Sequence, residues 1–159
     1  MEIIYHPIGI IHSPFKSLVS MPVQPASKTS APGEIEIYPP YVEGLQDLGG
    51  FSHIILLYHL HASRTFTLTV TPFLDNEQRG LFATRAPARP NPIGLSVVNL
   101  VRIENNMIHV DKLDVLDGTP LLDIKPYVPE FDHRPNISIG WLEKARGKVK
   151  PAVSDDRFN

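Results

Sequence analysis

A chain of 159 residues with 42% hydrophobic and 20% charged residues has the make-up of a single globular domain with a sizeable core. It has no cysteine, which excludes disulfides, thiol nucleophiles, thiolate zinc sites and cysteine-ligated iron–sulfur clusters. A formal charge of −2 argues against a basic coat for nucleic acid and leaves only local patches, while the lack of a signal pattern or a bilayer-length apolar run makes a cytoplasmic address the expectation.

Residues 3–12 read as a first strand region, interrupted by Pro7 and ended by Ser13-Pro14. Residues 16–33 carry Pro22, Pro25, Pro32 and Gly33 and read as a long loop. Structureless loops of that length are uncommon in compact domains, so a pocket-covering role is expected. Residues 34–38 alternate cleanly as a half-buried strand, and 41–48 allow one or two helical turns ended by Gly49-Gly50. Residues 52–61 are apolar on both faces over Ile54-Ile55-Leu56-Leu57, the pattern of a buried central strand.

The threonine-rich stretch 66–72 is β-prone, and 80–84 leads into a loop. Residues 96–103 and 107–113 flank Asn105-Asn106, a pair suited to positive φ in a tight hairpin. A second short helix is expected near 141–146. Many short strands with frequent turns predict an all-β, barrel-like domain with one or two short helices. No G-x-G-x-x-G follows a strand, which argues against a Rossmann-type site.

His53, His59 and His61 share parity, so a straight strand would place them on one face. His59-x-His61 has a spacing compatible with metal ligation, but the sequence identifies no third ligand or supporting shell, so no metal is expected. Packed, hydrogen-bonded or pocket-lining histidines are the competing readings.

Two motifs carry the functional argument. In Thr84-Arg85-Ala86-Pro87-Ala88-Arg89-Pro90-Asn91-Pro92-Ile93-Gly94-Leu95-Ser96, three prolines hold two arginines on a stiff extended course. Guanidinium forks and the Asn91 amide presented in this way suit a carboxylate, phosphate or base edge. A proline-rich surface connection with solvated arginines is the plainer alternative. In Asp114-Val115-Leu116-Asp117-Gly118-Thr119-Pro120, an Asp-Gly turn feeds a strand whose alternation puts Asp123, Lys125 and Tyr127 on one polar face and Leu122 and Ile124 on the other.

Together with Gly49-Gly50-Phe51-Ser52-His53-Ile54 and Gly80-Leu81-Phe82, these motifs closely resemble the TsaA-like family, which includes TrmO-type tRNA methyltransferases; the likeness spans residues 8–127. The resemblance implies a compact β-barrel over residues 1–140, with a short basic tail over 141–159 in place of the C-terminal domain of longer members. It implies S-adenosylmethionine as cofactor, a homodimer, and methylation of N6 of threonylcarbamoyladenosine at position 37 of tRNA. Around the cofactor it places Pro22, Val23, Gln24, His61, Ala62, Arg85, Leu95, Leu116, Asp117, Gly118 and Thr119. Arg85 would hold the methionine carboxylate, Asp117 would accept from a hydroxyl or ammonium, and Leu95 and Leu116 would border adenine.

The amide-like acceptor nitrogen is a poor nucleophile, so a proton acceptor beside it would help. Asp123 and Tyr127 are the candidates, or else buttresses of their turn, with Lys125 nearby to bias their ionisation or bind an acidic group of the substrate; Arg89 and Asn91 are candidates for the acceptor's carboxylate and base edge. The alternatives are a methyltransferase of the same fold with a small-molecule or other RNA acceptor, and a non-enzymatic ligand- or metal-binding barrel.

Overall fold

The computed structural model describes residues 1–17, 31–73 and 75–145. Among these, eight strands are formed: β1 (Gly9–His12), β2 (Ala31–Ile37), β3 (His53–His59), β4 (Thr69–Val70), β5 (Arg79–Gly80), β6 (Ile93–Glu104), β7 (Met107–Leu113) and β8 (Thr119–Pro126). Six of them close a barrel in the order β1-β2-β7-β6-β3-β8, each neighbour antiparallel. Closure removes the open strand edges that a sheet of this size would otherwise expose.

Alternation decides what enters the barrel. Glu34 and Glu36 of β2 face out while Ile35 and Ile37 are buried, and Ile54, Leu56 and Tyr58 of β3 meet Val98, Ile108, Val110 and Leu121 in the same core. Each fully buried aliphatic side chain contributes about 1.5–3 kcal/mol relative to exposure. The expected burial of β3 on both faces is not observed: Ile55 and Leu57 are only half-buried, because a barrel has one interior.

Several boundaries differ from the sequence-based expectation. Ile3, Ile4 and Tyr5 are exposed and the first strand begins only at Gly9, beyond Pro7. β2 starts at Ala31, inside the expected loop, and Pro32 is tolerated at a register shift between Ala31 and Gly33. Of stretch 66–72 only Thr69–Val70 pairs, with β5. The segments at Pro39–Leu45, Leu48–Gly50 and Gly140–Ala145 are 3₁₀ turns, and a one-turn helix α1 (Pro129–Asp132) was not anticipated.

The hairpin at Asn105-Asn106 forms, but only Asn105 takes positive φ, 55°. Asn106 instead clips the hairpin to β2: its carbonyl accepts from Ile37 N at 2.9 Å and its amide donates to Ile37 O at 3.1 Å.

β8 contains the irregularity that matters most. Tyr58 opposes Leu121, yet Leu57 opposes Asp123, so the register shifts around Leu122. Thr119 and Leu121 point inward before the shift; after it, Ile124 opposes the core residue Leu56, while Asp123 and Lys125 oppose the outward Leu57 and Ile55. Strict alternation from Thr119 would have aimed Asp123 inward. The bulge turns it out.

Between β3 and β6 the chain leaves the barrel and builds a small satellite, with Val70, Leu81 and Ala86 buried together. Arg79 pairs with Asp75 at 2.7 Å and Glu77 at 2.8 Å and lies over the Trp141 ring, whose Nε1 donates to Ala83 O at 2.8 Å. This packing carries the proline–arginine loop back to the start of β6.

Candidate active site

The end of β3 with the segment after it, the proline–arginine loop, the loop after β7 and the first residue of β8 converge on a pocket of about 70 Å³ lined by Tyr58, Leu60, His61, Ala62, Ser63, Pro87, Asp114, Val115, Leu116 and Thr119. Its walls are mainly apolar, with a few placed polar groups, the general make-up of a small-molecule site.

Its floor is a hydrogen-bonded chain from three separate segments. Ser96 Oγ donates to Asp114 Oδ1 at 2.6 Å, and Tyr58 Oη lies 2.9 Å from Ser96 Oγ. With Asp114 ionised, the one Ser96 proton points at the carboxylate, so the phenol must donate to Ser96. Gly94 makes this possible. A Cβ there would meet the Tyr58 ring at 2.1 Å, so only glycine lets the ring lie against β6 with its hydroxyl two residues along.

Burial pushes the Asp114 carboxyl up to about 6 against the opposing pull of the Ser96 hydrogen bond, its own backbone amide and the Arg85 charge. Asp114 is enclosed by protein but open to the pocket it lines. Burial, then the Asp114 charge, pushes the Tyr58 phenol well above its ordinary value.

Thr119 fixes the opposite wall. Its hydroxyl donates to Leu116 O at 2.7 Å and lies 3.2 Å from His61 Nδ1. Having spent its proton on the carbonyl, Thr119 accepts from His61, which assigns the Nδ1–H tautomer and leaves Nε2 as the acceptor of the neutral ring. His61 and Ala62 are exposed at the rim, and Arg85 is exposed nearby.

The Asp-Gly turn forms as expected, with Gly118 at φ 73°. Asp117, however, is engaged by the protein: Oδ1 accepts from Ser13 N at 2.9 Å and Oδ2 pairs with Lys16 at 2.6 Å, which holds its pKa below the usual value. It also lines a second, open cleft with His12 and Arg102, and its carboxylate ties the turn to the segment that follows β1.

The remaining candidates separate. Asp123 pairs with Lys125 at 2.7 Å on the outer wall. Tyr127 stacks obliquely on His53 at the far barrel end, roughly 25 Å of strand from Thr119. One chain therefore does not bring Asp123 and Tyr127 to this pocket. Leu95 is exposed on the outer face of β6, opposite Leu57. Arg89 folds into its own loop, donating to Thr84 O at 3.0 Å and Ala86 O at 3.3 Å above the Phe82 ring, and Asn91 is exposed just before β6.

Pro22, Val23 and Gln24 lie outside the described residues, as does the tail from Arg146. Among the described residues no group of three His, Asp or Glu could hold a metal, and no helix is long and apolar enough to cross a membrane.

No contiguous stretch of sequence marks Tyr58, Ser96 and Asp114 as a unit, although Ser96 ends one motif and Asp114 begins the other.

A family model described as the tRNA-methyltransferase O N-terminal domain matches residues 10–133. A probable S-adenosyl-L-methionine-binding protein of Pyrococcus abyssi is 54% identical over 99% of this chain and 86% of its own length. The tRNA (adenine(37)-N6)-methyltransferase of Escherichia coli is 36% identical over 89% of this chain, which spans 64% of that enzyme. The crystal structure of TrmO from Pseudomonas aeruginosa superposes with a TM-score of 0.75 at 39% identity, covering 89% of this chain and 63% of that one. The β-barrel, the two motifs at one end of it and these matches agree: the chain belongs to the tRNA-methyltransferase O family, through its N-terminal domain.

Proposed function

We propose that this protein is an S-adenosylmethionine-dependent methyltransferase that acts on N6 of threonylcarbamoyladenosine at position 37 of tRNA. The carrying observation is the pocket itself, where the proline–arginine loop and the Asp-Gly-Thr-Pro turn meet around a carboxylate set among apolar walls. The activity borne by the name of the Escherichia coli relative supports the acceptor.

The residues present fit the cofactor in chemistry. Leu60, Pro87, Val115 and Leu116 offer apolar walls and His61 and Ala62 a rim, and Arg85, outside the lining but close enough for its charge to act on Asp114, offers a cation for the methionine carboxylate. At about 70 Å³ the pocket is far below the roughly 300–1,000 Å³ of a complete ligand site, so it suits the reacting end, with the rest of the cofactor extending past the rim. When bound, S-adenosylmethionine supplies an electrophilic methyl group. The protein's part is to align the acceptor nitrogen, exclude water and manage its proton. Arg89, by bracing the loop, sets where Arg85 and Asn91 stand.

A homodimer fits the apolar Ile93 and Leu95 exposed on the outer face of β6, and a cytoplasmic location fits a tRNA substrate. The deciding assay is transfer of labelled methyl to tRNA from cells with and without the threonylcarbamoyl modification, followed by nucleoside mass analysis. Label at N6 only in modified tRNA is the expected result; label elsewhere or none refutes this acceptor. The formal charge of −2 favours a second reading, another acceptor for the same pocket, which label on a different molecule would identify.

A further inference from the structure

We infer that Asp114 is the group that takes the N6 proton of the acceptor during methyl transfer, with Ser96 and Tyr58 as residues that position it. This rests on the proposed methyltransferase reading and assigns its proton step to a residue other than Asp123 or Tyr127.

The geometry is specific. Asp114 lines the pocket, one oxygen is held at 2.6 Å by a buried serine, and that serine is itself held at 2.9 Å by a buried tyrosine. A carboxylate accepts at up to about four lone-pair positions on its two oxygens, so the bonds from Ser96 and from its own backbone amide leave capacity for a donor in the pocket. The supporting chain is rigid. Ser96 and Tyr58 are 1% and 7% exposed and sit on paired strands, with Gly94 fixing the ring. Burial makes the carboxylate a stronger base than an ordinary aspartate, the direction a proton acceptor needs.

Among the described residues, the titratable groups facing it come from three segments. Arg85 comes from the proline–arginine loop, the Tyr58 phenol from β3 and the His61 ring from the segment after β3, while Asp117 on its own loop is engaged by Lys16. In the step, the N6–H bond breaks toward Asp114, the nitrogen pair forms a bond to the methyl carbon, and the methyl–sulfur bond breaks with its electrons to sulfur. The carboxylate becomes the acid, the sulfonium charge is lost, and the proton later leaves to solvent.

The test combines cofactor affinity with single-turnover rates on modified tRNA. Asp114→Asn, which keeps an acceptor for Ser96, is expected to leave affinity unchanged and lower the rate by ~10²–10⁴-fold. Ser96→Ala, by removing a bond that favours the ionised carboxylate, is expected to move the acid limb of the rate to higher pH, which a merely structural serine would not do. In the unsubstituted protein, the Asp114 carboxyl followed by carbon NMR should titrate together with that limb.

A near-parental rate for a folded Asp114→Asn, or a loss explained wholly by weaker cofactor binding, overturns the inference. So does a rate that is flat between about pH 5 and 8 in the unsubstituted protein. If the unsubstituted protein transfers no methyl to modified tRNA, both this and the proposed function fall. Transfer with an unaffected variant removes only the role of Asp114.

Discussion

Asp114 and Asp123 belong to the same stretch of motif, yet one closes the floor of the pocket and the other stands on the outer wall with Lys125. The first is held by a buried serine and pushed up to about 6; the second is 43% exposed beside a lysine that is itself 60% exposed. What separates them is packing, since residue type and local spacing make both plausible acids or bases. Environment, set by a loop on one side of Thr119 and a bulge on the other, encloses Asp114 and pushes its carboxyl toward neutrality while it leaves Asp123 on the outer wall.

The widest contrast is expected from paired substitutions. Asp114→Asn should lower methyl transfer by ~10²–10⁴-fold while Asp123→Asn stays close to the parent, measured as single-turnover rates at saturating cofactor. Equal losses at both positions would break the distinction. A second test addresses the scaffold. Gly94→Ala drives a Cβ into the Tyr58 ring at 2.1 Å and should destabilise the fold by about 1–3 kcal/mol or more, whereas Gly44→Ala, with nothing within 4 Å, should not. Thermal melting of the two variants decides it.

The pH dependence of stability sharpens the comparison further. Asp114 binds its proton more tightly folded than unfolded, so its contribution is present below the ordinary carboxylate value near 3.8 and is lost as pH rises through about 6. Between these values the parent should lose about 3 kcal/mol relative to Asp114→Asn, read from denaturant midpoints. Asp117, lowered by Lys16, has the opposite sign, losing its contribution as acid protonates it. The smallest effect belongs to the wall: Lys125→Met, which removes the 2.7 Å pair with Asp123, should change stability by less than about 1 kcal/mol.

Much of the architecture was legible because it is local. The Glu34–Ile37 alternation, the Asn105 turn and the Gly118 turn depend on backbone preferences a few residues long, and each is found where expected. The family was legible too, because its motifs are contiguous. Strand limits were less so: Pro32 enters β2 only because the partner strand shifts register beside it, and the 66–72 stretch finds only two residues' worth of pairing.

Sequence by itself therefore determined the all-β class, the stiff proline–arginine loop and the Asp-Gly turn, since proline, glycine and alternating side chains act on their own neighbourhoods. Tertiary structure alone decided which polar groups meet. Tyr58, Ser96 and Asp114 join across three segments, and Asp117 is claimed by Ser13 from the other end of the chain. The bulge in β8 turns Asp123 away from the face of Thr119. Hydrogen bonds between side chains depend on register across strands to within a fraction of a residue spacing, and that register is set by the whole core closing at once.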